Sequence, residues 1–125
     1  MKVSEIMNKA FAIEEKISLK EAAKIMSDKN VGGLIVMKGG KVAGIIVESD
    51  ILKNVSSLGK KVSDVMSKRV IVINKKDSLE DAAEIMSQNK IKRLPVMNKD
   101  ELVGIVTATD LLAHSDGLDD DFFFD

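Results

Sequence analysis

"SLKEAAKIM", residues 18–26, returns 60 positions later in the chain as "SLEDAAEIM", residues 78–86. The same offset relates "LIVM" (34–37) to "LPVM" (94–97), and "GIIVESD" (44–50) to "GIVTATD" (104–110). Upstream of these stretches, "VSEIM" (3–7) and "VSDVM" (62–66) are related by 59 positions. Matches that recur in one fixed order identify a tandem duplication, in which each copy is one supersecondary unit.

Each copy predicts the same run of secondary structure. Ser18 with Glu21, and Ser78 with Asp81, form the S-x-x-[DE] pattern that starts helices, and apolar residues at helical spacing follow each pair. A short apolar strand, a polar turn and a second strand come next. A final helix is expected around the aspartate that ends "GIIVESD" or "GIVTATD", and a short extended piece precedes the first helix. The predicted order per copy is β-α-β-β-α.

The duplication predicts an α/β protein made of two tandem repeats. We place repeat 1 at residues 1–59, repeat 2 at 60–116, and an acidic, phenylalanine-rich tail at 117–125. A copy of about 60 residues buries little core alone. We therefore expect the apolar sheet faces of the two copies to pack about a pseudo-two-fold axis and to leave two related clefts for ligands.

Composition narrows the class of protein. Hydrophobic residues make up 45% and charged residues 31% of the chain, and there is no cysteine. No apolar run approaches the roughly 18 residues of a membrane span, and "MKVSEIMNK" lacks the apolar region of a signal peptide. These features favour a cytoplasmic protein without a membrane partner. Residues 1–115 carry 19 basic and 15 acidic side chains, and tyrosine and tryptophan are absent. That balance suits an anionic ligand but argues against a nucleic-acid partner.

The β-α-β-β-α order, the two "S-L-x-[ED]-A-A" helices, "KRLPV" and "GIVTATD" resemble the cystathionine-β-synthase (CBS) domain family. The resemblance covers roughly residues 1–115, as two CBS motifs that form one Bateman module. It implies a regulatory module that binds AMP, ADP, ATP or S-adenosylmethionine and transmits binding to a partner, with no catalytic residues and no metal site. Whether magnesium accompanies ATP stays open. The resemblance also implies a homodimer that forms through the helices.

The family's element G-h-x-[ST]-x-[ST]-D, in which h is apolar, holds the ribose and part of the phosphate. Carried over, it assigns Thr107, Thr109 and Asp110, while the basic pair before "LPV" assigns Lys92 and Arg93 to the phosphates. Further residues are implied for the adenine, near the first strand and the helix–strand corner of the other copy. They are Ala10, Phe11, Ala12, Gly32 and Gly33.

The chemistry of these residue types agrees with the assignment. An ionised aspartate only accepts hydrogen bonds, so it suits the hydroxyls of a ribose, while an arginine and a lysine suit phosphate. Repeat 1 has Val47 where repeat 2 has Thr107, and glycines where it has the basic pair. We therefore predict one nucleotide site per chain, around Asp110. The cleft with Ser49 and Asp50 is either empty or a weaker second site for a nucleoside-like ligand with little phosphate contact.

Other readings remain open at the level of sequence. Each aspartate could simply cap its helix, and the lone histidine, His114, has no catalytic partner. Phe122, Phe123 and Phe124 lie among five of the chain's 20 acidic residues. The tail could be a solvated extension, or it could compete with a nucleotide for the basic pair. The alternative function is a scaffold that binds a protein through this tail and retains only a vestigial ligand cleft.

Overall fold

The computed structural model of the protein describes residues 1–114. The predicted tail at 117–125, with its three phenylalanines, lies outside the described residues. The elements are β1 (Ala12–Glu14), α1 (Leu19–Lys29), β2 (Gly33–Lys38), β3 (Lys41–Val47), α2 (Glu48–Lys53), β4 (Ile73–Asn74), α3 (Leu79–Asn89), β5 (Arg93–Asn98), β6 (Glu101–Thr107) and α4 (Ala108–Ala113). Short 3₁₀ turns span Val3–Glu5 and Val62–Asp64. The mixed α/β class and the predicted β-α-β-β-α order are confirmed in both copies.

Two three-stranded sheets carry the fold, with strand orders β1-β2-β3 and β4-β5-β6. The first two strands of each sheet run parallel, and the last two run antiparallel. Both predicted helix starts are confirmed. The hydroxyl oxygen of Ser18 accepts the backbone N–H of Glu21 at 3.1 Å, and that of Ser78 accepts the N–H of Asp81 at 3.0 Å. These contacts satisfy amides that the first helical turn leaves without a partner.

The described residues form two compact units that divide the chain differently from the repeats. Residues 11–70 form one unit, here the continuous unit. Residues 1–10 and 71–114 form the other, here the split unit. The first residues of the chain are held in the split unit by backbone hydrogen bonds, such as Val3 N–H to Asp77 O at 2.8 Å and Ser4 N–H to Lys75 O at 3.0 Å. The opening segment of the chain is therefore part of the unit that contains the second sheet.

Each unit has its own apolar core. The buried members in the split unit include Val3, Leu79, Ala82, Leu94, Val96, Val106 and Leu111. Those in the continuous unit include Leu19, Ala22, Leu34, Val36, Ile46 and Val62. The apolar residues that recur between the copies are thus the residues that fill equivalent cores.

Pro95 makes the two sheets differ at one edge. In the continuous unit the N–H of Ile35 donates to the carbonyl of Phe11 at 2.9 Å, which extends the pairing of β1 with β2. Pro95 occupies the matching position in β5 and has no N–H to donate. This loss agrees with the shorter β4, which has two residues where β1 has three.

Candidate functional site

The candidate residues of the second copy meet where β5 begins and β6 ends, within the split unit. Arg93 lies opposite Thr107 in the antiparallel pair, and the carbonyl of Lys92 accepts the N–H of Ala108 at 2.9 Å. Helix α4 follows β6 directly, so Asp110 falls in its first turn. The strand pairing therefore brings Lys92, Arg93, Thr107 and Asp110 to one corner of the sheet, as the sequence predicts for neighbours of a single site.

Asp110 is the most highly coordinated side chain of this corner. Its Oδ2 accepts three hydrogen bonds, each 2.8 Å long, from the backbone N–H of Thr107, the hydroxyl of Thr107 and the Nδ2 of Asn8. No donor within residues 1–114 forms a hydrogen bond with the other carboxylate oxygen, Oδ1. The three hydrogen bonds hold the carboxylate in one orientation, and Asp110 is half-buried, so it stays in contact with solvent.

The hydroxyl of Thr107 is engaged with Asp110. Its single hydrogen goes to the Oδ2 of Asp110, and its oxygen accepts the N–H of Asp110 at 3.2 Å. Thr107 and Asp110 thus form a reciprocal capping box at the start of α4. Helix α4 consequently begins at Ala108, slightly before the Thr109–Asp110 position that the sequence suggested. A contact of Thr107 with a ligand remains a prediction.

The remaining polar residues of the corner are more open to solvent. Thr109 and Lys92 are exposed, and Arg93 is half-buried. Within residues 1–114, neither basic side chain forms an ion pair. Both cations are therefore available to an anionic ligand, because no internal carboxylate in that range neutralises them.

The equivalent corner of the continuous unit is built less fully. The Oδ2 of Asp50 accepts one hydrogen bond, from the N–H of Val47 at 2.9 Å. Val47 has no hydroxyl, so the side-chain contact that Thr107 makes is missing here. The backbone frame is nevertheless the same, because Gly32 O accepts the N–H of Glu48 at 3.0 Å and Gly33 lies opposite Val47. Asp50 therefore caps its helix but is held less firmly than Asp110.

The residues predicted to contact adenine are divided between the units. Ala10 ends the opening segment of the split unit, whereas Phe11, Ala12 and both glycines belong to the continuous unit. Phe11 is half-buried, and the Nζ of Lys29 lies 5.5 Å from its ring centroid, a distance suited to a cation–π contact. The contact of these residues with adenine remains a prediction.

Asn8 was not predicted from the sequence. It lies 102 positions from Asp110 in the chain, yet its side chain donates to that carboxylate. The repeats align Asn8 with Ser67, and a polar residue at both positions was the only signal available. The family element G-h-x-[ST]-x-[ST]-D does not extend to this position.

An open groove of about 430 Å³ lies between α1 and α2 of the continuous unit. Its walls are mixed: the apolar residues Ala23, Met26, Val31, Ile51 and Leu52 line it together with the polar residues Ser27, Asn30 and Glu48. Leu52 is 72% exposed, and Val55, three residues further along the chain, is 67% exposed. Exposed large apolar side chains that form one patch are typical of a surface that contacts another molecule.

Neither a metal-binding cluster nor a membrane-spanning helix is found in the described part of the chain. Across residues 1–114, no three histidine, aspartate, glutamate or cysteine side chains form a group that could hold a metal ion. None of the helices in the same range is long and apolar enough to cross a membrane.

Comparison with known proteins gives consistent matches along the chain. The family model described as "CBS domain" matches residues 3–57 and 62–117. The CBS domain-containing protein YhcV of Bacillus subtilis is 38% identical over 98 residues, which are 75% of this chain and 70% of YhcV. Protein MJ1232 of Methanocaldococcus jannaschii is 34% identical over 114 residues, and inosine-5'-monophosphate dehydrogenase of Thermoplasma acidophilum is 32% identical over 108. The chain spans only 38% and 22% of these two proteins.

Solved structures give the same result. The CBS domain pair of protein MJ0100, crystallised in complex with 5'-methylthioadenosine and S-adenosyl-L-methionine, is 31% identical with a TM-score of 0.86, over 94% of this chain and 97% of that one. A hexameric CBS-CP12 protein from bloom-forming cyanobacteria is 30% identical, with a TM-score of 0.84 over 93% of this chain and 72% of that one. The CBS domain NE2398, at 24% identity and a TM-score of 0.85 over 92% of this chain and 97% of that one, shares the fold.

Proposed function

The chain belongs to the CBS domain family, and we propose that it is a non-catalytic regulatory module that binds an adenosine-containing ligand at Asp110. The observation that carries this proposal is the oriented carboxylate, whose Oδ2 is fully engaged by three donors while Oδ1 stays open. An acceptor held in one direction suits a sugar hydroxyl, because little conformational freedom is lost when the ligand binds. The complex of MJ0100 with two adenosine derivatives supports the same ligand class.

The basic pair distinguishes between ligands within this class. Arg93 lies opposite Thr107 in the antiparallel pair, Lys92 directly precedes β5, and neither side chain forms an ion pair inside the described part of the chain. Cations of this kind favour a ligand that carries phosphate, such as AMP, ADP or ATP, over S-adenosylmethionine, which carries none. We propose an adenine nucleotide as the regulatory ligand. Magnesium accompanying ATP and a cytoplasmic location remain predictions.

Calorimetric titration of the purified protein with AMP, ADP, ATP and S-adenosylmethionine tests the proposal. We expect one ligand per chain. Replacing Lys92 and Arg93 together by alanine should weaken nucleotide binding by roughly a hundredfold or more, since hydrogen bonds to charged groups contribute about 1.5–3 kcal/mol each. Affinity for S-adenosylmethionine should change little. Equal losses for all four ligands would contradict the phosphate assignment, and no binding of any ligand would reject the proposed function.

We further propose that the protein forms a homodimer through the groove between α1 and α2. The groove carries Leu52, which is 72% exposed, and Val55, three residues further along the chain, is 67% exposed. Burial of such a face in a symmetric contact removes apolar surface from water on both partners.

Substitution of Leu52 by aspartate is therefore expected to weaken self-association by roughly tenfold or more, because it places a charge in an apolar contact. Sedimentation velocity over a range of concentrations measures the effect. Val72→Asp provides the matched control, since Val72 is 43% exposed but belongs to the split unit and does not line the groove. Equal behaviour of the two variants would show that the groove is not the interface.

A further inference from the structure

Two backbone hydrogen bonds hold Asn8 next to the end of β6. Its N–H donates to the carbonyl of Ile105 at 2.8 Å, and its carbonyl accepts the N–H of Ile105 at 2.9 Å. These two bonds form an antiparallel bridge on the edge of β6 that does not pair with β5. The side chain then reaches Asp110, with 2.8 Å between Nδ2 and Oδ2. Asn8 is thus tied both to the strand that leads into the site and to the carboxylate itself.

The chemistry of the contact fixes which way the amide of Asn8 faces. An ionised carboxylate can only accept hydrogen bonds, so the Nδ2 of Asn8, and not its oxygen, must point at Asp110. The contact uses a donor of the amide and leaves the amide oxygen, Oδ1, as an acceptor for a ligand. Asn8 is exposed to solvent, so a ligand can reach this oxygen.

Two hydroxyls of a ribose need two acceptors at this corner. The Oδ2 of Asp110 already accepts three hydrogen bonds, which leaves Oδ1 as the second oxygen of that carboxylate. The amide oxygen of Asn8 belongs to the side chain that is hydrogen-bonded directly to this carboxylate. We infer that Asn8 is a ligand-binding residue, and that Asp110 Oδ1 and Asn8 Oδ1 together accept the 2'- and 3'-hydroxyls of the ligand. This inference rests on the proposed function.

The continuous unit lacks this arrangement. Ser67 takes the place of Asn8 and forms the same bridge, with both backbone bonds to Ile45. Its hydroxyl lies 3.5 Å from the carbonyl of Arg69 and turns to that neighbour instead of to Asp50. The serine side chain therefore supplies neither an orienting donor nor a second acceptor beside the carboxylate. Asn8 adds a third difference between the two corners, besides Thr107 and the basic pair.

The test compares AMP with 2'-deoxy-AMP and 3'-deoxy-AMP, each titrated calorimetrically into the wild-type protein and into Asn8→Ala. In the wild type, each missing hydroxyl should weaken binding by roughly tenfold. Asn8→Ala should bind AMP about five to ten times more weakly than the wild type does. For the deoxy analogue that lacks the hydroxyl facing Asn8, the variant and the wild type should have almost the same affinity. The preference of the variant for AMP over that analogue therefore collapses. If the role of Asn8 were purely structural, the substitution would weaken binding of all three nucleotides by the same factor.

Two controls complete the experiment. Ser67→Ala, at the matching position, should leave all three affinities unchanged, and the thermal unfolding midpoint of each variant verifies that it is folded. Asn8→Ser, which copies the residue of the other repeat, should behave as Asn8→Ala does. If both Asn8 variants keep the wild-type preference for AMP over the deoxy analogues, this inference is wrong. The proposed function then still stands, provided that the wild-type protein binds AMP. Absence of AMP binding in the wild type rejects both.

Discussion

Replacing Asp110 by alanine is expected to weaken binding of AMP and of S-adenosylmethionine at least about a hundredfold. The substitution removes the acceptor Oδ1 and also the Oδ2 that holds Asn8 and Thr107 in place. Each hydrogen bond to a charged group contributes about 1.5–3 kcal/mol, so two lost contacts already correspond to roughly a hundredfold or more in affinity. The affinity for both ligands should fall because both contain the ribose. Calorimetric titration measures the affinity and the stoichiometry together.

Asp50→Ala is the matched control for this prediction. Both substitutions remove an aspartate whose Oδ2 accepts the N–H of the residue three positions earlier, Thr107 or Val47, so both lose a helix cap worth about 1 kcal/mol. Only Asp110 has the further side-chain donors. Asp50→Ala should therefore lose the shared cap, with a smaller loss of stability than Asp110→Ala, and spare the binding. Equal losses of affinity in the two variants, or two ligands per wild-type chain, would contradict the predicted asymmetry.

The sequence was sufficient to predict the elements because both copies carry the same local signals. The capping pairs at Ser18 and Ser78, and the apolar spacing that follows them, act over a few residues and produce the same helix in each copy. The asymmetry of the two corners could also be predicted, since it follows from the difference between Thr107 and Val47. These features depend on short-range patterns, which a single sequence displays directly.

The coordination of Asp110 could not be predicted, because it depends on a contact between residues 102 positions apart. The repeat alignment associates Asn8 with the start of repeat 1, whereas its backbone pairs with Ile105 in the split unit. The capping contact of Thr107 could not be predicted for a related reason. A hydroxyl has one hydrogen, and only the structure shows that Asp110 already uses it. The functional residues proposed for phosphate and adenine remain predictions.

The opening glycine of "GIVTATD" links the stability of the split unit to its candidate site. A Cβ atom at Gly104 would lie 2.7 Å from the Sδ of Met7 and 2.9 Å from the carbonyl oxygen of Asn8. The methionine side chain can move, but the carbonyl belongs to the bridge between Asn8 and Ile105. Gly104→Ala is therefore expected to lower the free energy of unfolding by about 1–3 kcal/mol, which urea denaturation measures.

Alanine substitutions at two other glycines serve as controls for this loss of stability. Gly59→Ala should be nearly neutral, because a Cβ atom at that position would have no neighbouring atom within 4 Å. Gly44→Ala should destabilise the protein as Gly104→Ala does, since its Cβ would lie 2.6 Å from the Sδ of Met66 and 2.8 Å from the carbonyl oxygen of Ser67. Only Gly104→Ala should also weaken AMP binding, because only there does the displaced segment carry Asn8, whose side chain holds Asp110. Equal AMP affinity in the Gly44 and Gly104 variants would mean that the opening segment supports the fold without shaping the site.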